Sequence, residues 1–79
     1  MLSEKKLFQL IANALELPLN QISIDSSSEN LDNWDSLGHL SILTSLEKEI
    51  LNVSSIKDLV NAYSVKSIIQ ILVKNKYLK

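Results

Sequence analysis

The stretch WDSLGHL at residues 34–40 concentrates the chemistry this chain can offer. It holds the only tryptophan, the only glycine and the only histidine of 79 residues, grouped around one serine, while eleven other serines lie elsewhere. Ser36 supplies a hydroxyl, Asp35 a carboxylate beside it, and His39 an imidazole one helical turn on. Such a hydroxyl can be a nucleophile activated by imidazole and acid, or the acceptor of a group that another protein transfers. The first route lacks its frame, because there is no second histidine and no G-x-S-x-G turn to present the serine. A single histidine in a chain without cysteine is also a poor start for a metal site. No catalytic and no metal-binding residue is therefore expected. What remains for Ser36 is modification: at a loop-to-helix junction, free backbone amides and the positive end of the helix dipole would stabilise a phosphate on its oxygen. The plainer alternative is capping, with Asp35 accepting first-turn N–H groups and Ser36 merely tolerated beside it.

The elements that must position this stretch are helical. Residues 3–15 carry Leu7, Phe8, Ile11 and Leu15 at helical spacing, with Ser3 as N-cap and Leu2 and Leu7 placed to form a hydrophobic staple. Pro18 is expected to end that helix by pushing Leu17 out of the α region. Residues 18–34 have no helical period and are rich in Ser, Asn and Asp, yet Ile22, Ile24, Leu31 and Trp34 recur in them. That pattern predicts a long loop pinned onto a core, and loops of this length in small domains commonly carry function. The alternation at Ile22 and Ile24 leaves a short strand open, though no second strand offers a partner. A second helix is expected over residues 36–51, its core face formed by Ile42, Leu43, Leu46 and Ile50. A short third helix is expected around Ile56, Leu59 and Val60. A fourth opens at the capping residue Ser64, with Val65, Ile68, Ile69, Leu72 and Val73 along one side. The expected fold is all-α, a four-helix bundle with a long first loop and a short third helix, forming one domain over residues 1–79.

Composition narrows the function. Hydrophobic residues make up 46% and charged residues 22%, as in a folded globular domain. The absence of cysteine removes disulfides and any protein thiol, so thiol chemistry would have to be imported. Residues 1–40 hold two lysines against six acids and residues 41–79 six lysines against three, so the acidic half contains the unusual stretch. With no arginine and only scattered C-terminal lysines, the electrostatic footprint of a nucleic-acid binder is missing. No apolar run reaches membrane-spanning length, and no signal-peptide pattern opens the chain, so a cytoplasmic protein that binds no membrane is expected.

The D-S-L tripeptide at residues 35–37, opening the second helix of a cysteine-free, helical domain of this size, resembles the acyl carrier proteins. The likeness extends over nearly the whole chain, through the leucine shortly before the motif, the LEKEI ending of the second helix, and the Ser-Val start of the fourth. It implies an acyl-carrier type of four-helix bundle and a carrier rather than an enzyme. Ser36 would bear 4′-phosphopantetheine, transferred from coenzyme A by a Mg-dependent phosphopantetheinyl transferase. The thiol of that arm would hold an acyl group as a thioester for an acyl-loading ligase and for acyltransferase or synthase partners, in fatty-acid- or polyketide-like biosynthesis, with the carrier as a monomer. This is the imported thiol that the composition calls for. Aminoacyl or peptidyl carriers are an alternative, although the glycines they tend to have before the serine motif are replaced here by Asn33 and Trp34; a helical interaction module without a prosthetic group is another.

The resemblance and the helical wheel together nominate Asp35, Leu37, Gly38, Leu40, Thr44 and Glu47 for partner recognition. Asp35 would cap the helix and contact the transferase and its metal. Leu37 lies off the core face and is expected to dock into partners; Leu40 would either join it or be buried at the core edge. Gly38 departs from the acid common in the family. Glycine permits close approach of the arm or a partner, or reflects a tolerant site, and Gly38→Ala is expected to stabilise the fold by some tenths to about 1 kcal/mol. His39 is expected to pack at the bundle's end, with Trp34 plugging the loop onto it or contacting the acyl chain. Ser41 and Lys48 stand where the family often has acids, which favours a dedicated pathway over general fatty-acid synthesis.

Overall fold

The computed structural model describes residues 2–50 and 57–78. Three α-helices order the chain: α1 (Glu4–Leu15), α2 (Ser36–Glu49) and α3 (Val65–Lys74), with 3-10 turns at Leu19–Gln21 and Lys57–Asn61 and no strands among the described residues. The all-helical class is as expected. Where the short third helix was expected, Lys57–Asn61 is a 3-10 turn, and Ile56 falls outside the described residues. α3 is thus the segment expected as the fourth helix. No helix among the described residues is long and apolar enough to cross a membrane.

Each helix starts where a side-chain oxygen replaces the missing intrahelical acceptor. Ser3 accepts from Lys6 N, Asp35 from Gly38 N, and Ser64 from Ser67 N. α1 ends earlier than Pro18 requires. Glu16 turns into the left-handed region at φ 59°, and the Leu17 N–H reaches back to the Ala12 carbonyl, a Schellman-type stop.

The buried stripes of the three helices meet in one core: Leu7 and Ile11 from α1, Ile42 and Leu46 from α2, Val65, Ile68 and Leu72 from α3. Leu2 and Leu78 close the far end, tied by the Leu2 N–H to the Tyr77 carbonyl at 3.1 Å. Period-based expectations fail at the margins. Val60 and Val73 are exposed and Ile69 is half-buried, because the core needs only a narrow stripe from each short element.

The long loop is pinned as expected by Ile22 and Trp34, both buried, but Ile24 is exposed and no ladder forms there. A second anchor comes from the serine triplet at residues 26–28. The Ser26 carbonyl accepts the Val65 N–H and the Ser28 N–H donates to the Tyr63 carbonyl, each at 2.9 Å, so the loop also satisfies the start of α3. Buried Ser26 adds a bond from Ser23 N to its hydroxyl.

Candidate functional site

Ser36 occupies the first position of α2, exposed, at the end of the anchored loop. Ser3, Ser23, Ser26, Ser27, Ser64 and Ser67 all spend their hydroxyls on turns and caps. Among the described residues the Ser36 hydroxyl has no such partner, and capping is done by Asp35, whose Oδ1 accepts the Gly38 N–H at 2.8 Å. The local sequence thus separates the two roles that share the helix start: the carboxylate terminates the backbone and the hydroxyl stays available.

Two latches hold this turn. In the first, the Asn33 side chain donates to the Leu15 carbonyl at 2.9 Å, which satisfies an orphan acceptor at the end of α1. The Asn33 backbone carbonyl meanwhile packs onto Gly38. A Cβ at position 38 would overlap that oxygen and stand 2.9 Å from Leu15 Cδ2. The geometry therefore runs against the expectation that Gly38→Ala would stabilise the fold: Gly38 is helical, but the neighbour it admits is the chain's own loop.

The second latch is aromatic. The Trp34 indole N–H donates to His39 Nδ1 at 3.0 Å, and His39 Nε2 lies 2.8 Å from the Leu59 carbonyl. An indole only donates and a carbonyl only accepts, so the partners assign the ring proton to Nε2. Trp34 and His39 are 1% and 3% exposed. Tyr63 stacks on the imidazole with ring centroids 4.1 Å apart. Trp34 plugs the loop end and His39 packs inward, in the positions expected of them; the polar wiring between them, Leu59 and Tyr63 was not legible from spacing.

Outward from Ser36, the nominated residues divide. Leu37 and Leu40 are 75% and 59% exposed, so Leu40 is not buried at the core edge. Thr44 and Glu47 are exposed further along α2, although the Thr44 hydroxyl is returned to the Leu40 carbonyl at 2.9 Å. Ser36, Leu40, Thr44 and Glu47 share one side of the helix by their spacing, with Leu37 beside them. Gly38 stands apart, half-buried and turned toward α1. On that α1 side lies a shallow depression whose lining includes the carboxylates of Glu16, Asp32 and Asp35. Among the described residues no group of three His, Asp or Glu side chains is placed to hold a metal ion.

Sequence reasoning missed Asn33 and Tyr63. Asn33 carried one usable signal, a polar side chain next to a fixed tryptophan in a loop that must be tied down. Tyr63 carried none. Compared with family models, curated proteins and solved structures, the chain matches none of them.

Proposed function

We propose that this protein is an acyl carrier: Ser36 accepts 4′-phosphopantetheine from coenzyme A, and the domain presents the loaded arm to the enzymes of a dedicated biosynthetic pathway. The observation that carries the reading is the exposed, unengaged Ser36 hydroxyl at the first position of α2, on a turn that Asn33, Trp34 and His39 hold rigid. In the transfer, Ser36 Oγ would form a new P–O bond as the pyrophosphate P–O bond to the adenosine bisphosphate breaks, and the hydroxyl proton would leave to a base on the transferase. The residues fit the group. The arm's phosphodiester would sit at the positive end of α2, and the hydroxyl needs no rearrangement of the fold to reach solvent. When attached, the arm supplies a terminal thiol that holds an acyl group as a thioester, which the cysteine-free chain cannot supply itself.

In the same reading the 3-10 turn at Lys57–Asn61 belongs to the short third member of an acyl-carrier bundle. Leu37 and Leu40 are the apolar contacts for the transferase, the loading ligase and the acyltransferase or synthase, with Asp35 and Glu47 as flanking charges. Exposed Ser41 and Lys48 dilute the acidity of that side, which suits partners less basic than those serving a strongly acidic carrier.

The test is intact mass after incubation with coenzyme A, Mg²⁺ and a broad-specificity phosphopantetheinyl transferase. The wild-type chain gains the mass of one arm and Ser36→Ala gains none. A wild-type chain that stays bare would remove the carrier reading and leave a helical interaction module built on Leu37 and Leu40.

A further inference from the structure

An acyl chain tethered at Ser36 has two places to go, into the bundle between α2 and the segment around Leu59, or outside it. The first route begins at the Trp34–His39–Leu59 latch. Trp34 gives its single N–H to His39, His39 uses both ring nitrogens, and the Leu59 carbonyl takes the second bond, all within a buried cluster. Prising α2 from Leu59 would strand polar atoms that have no water to turn to. Below the latch, the inward side chains Ile42 and Leu46 are fully buried in the core.

Resting on the carrier reading, we propose that this latch closes the bundle beside Ser36, so that the cargo stays outside the fold and is a short or polar acyl group rather than a long alkyl chain. A long alkyl chain held outside would remain in water along its length, which the hydrophobic effect disfavours with every added methylene. A short or polar acyl group meets no such penalty. Tyr63, itself partly exposed, stacks on the imidazole with ring centroids 4.1 Å apart and covers part of the latch.

The experiment loads Ser36 with acetyl-, hexanoyl- or decanoyl-phosphopantetheine from the matching acyl-coenzyme A and follows thermal unfolding and tryptophan emission. Trp34 is the only tryptophan, so its emission reports on the latch alone. The expected result is one melting temperature for the three forms to within about 1 °C, with unchanged emission. A stepwise rise with chain length to about 4 °C or more, accompanied by a shift in emission, would show the chain entering the bundle and overturn the proposal. Failure of any arm to attach is a separate result visible in the mass spectrum, and it would remove the carrier reading and this inference together.

Discussion

The backbone carbonyl of Asn33 lies against Gly38 so closely that the first turn of α2 has no room for a side chain there. Five residues apart in sequence, the two meet because the Asn33 side chain is tied to the Leu15 carbonyl, which pulls the loop across the helix start. On an open helix, alanine in place of glycine would gain about 1 kcal/mol. Here the added methyl must displace backbone. Gly38→Ala is expected to lower stability by about 1–3 kcal/mol, as overpacked sites do. Urea or thermal unfolding decides it, and a more stable variant would show that the loop does not press on α2 as described.

Trp34 and His39 form a pair whose two members are not equivalent. Trp34→Phe leaves one buried acceptor, His39 Nδ1, without a donor, a loss of about 1–3 kcal/mol before any effect of the smaller ring. His39→Leu strands both the Trp34 N–H and the Leu59 carbonyl and should cost more. The double variant should lose less than the two single losses combined, with a coupling of about 0.5–3 kcal/mol in a double-mutant cycle. Additive losses would mean that the hydrogen bond between the rings contributes nothing.

These two pairs mark the boundary of what the sequence discloses. The helices at residues 4–15 and 65–74 follow from a capping serine set before an apolar stripe, signals that are local and repeat. The start of α2 at Ser36 was legible because Asp35, a capping residue, stands at a predicted loop-to-helix junction. The environment of Gly38 was not, because helix propensity describes a residue among its own turns, whereas the obstruction comes from Asn33 in the loop and Leu15 in α1. At Lys57–Asn61 a short helix was expected and its 3-10 form was not legible, because within the turn only Leu59 is buried and Val60 is exposed, too few apolar positions for a period to tell one helix type from another.

Glu16 holds the left-handed geometry that ends α1, with φ 59° and ψ 41°, a conformation in which a Cβ is crowded by the following carbonyl. Glycine is the usual residue at this position. Glu16→Gly is expected to raise stability by about 0.5–1 kcal/mol, the relief of strain exceeding the extra freedom glycine gives the unfolded chain. Because the exposed Glu16 side chain caps nothing among the described residues, an upward shift in melting temperature is the clean readout, and a downward shift would count against the left-handed stop.

Asp35 caps α2, and the proposed carrier reading gives it a second role to test, contact with a partner. Asn caps about as well as Asp, so Asp35→Asn should leave stability within about 0.5 kcal/mol of wild type, whereas Asp35→Ala should lose about 1 kcal/mol. If the carboxylate also meets the transferase and its metal, Asp35→Asn will attach the arm more slowly despite its intact fold. Equal attachment rates for wild type and Asp35→Asn would confine Asp35 to capping.

Leu37 and Leu40 present the sharpest contrast between fold and function, because they are the most exposed apolar residues of α2 and stand beside Ser36. Truncating either to alanine removes almost no buried area, so stability should stay within about 0.5 kcal/mol. Leu46→Ala, two turns along on the core face, should by comparison cost about 2–5 kcal/mol. If the leucines dock into partner pockets, Leu37→Ala should raise the transferase KM about tenfold, corresponding to roughly 1.4 kcal/mol of lost contact, with the Ser36 chemistry itself unchanged. Measuring KM and kcat separately on the two variants tests this directly. A KM equal to wild type for both would mean that the apolar side of α2 is not the docking surface for the transferase.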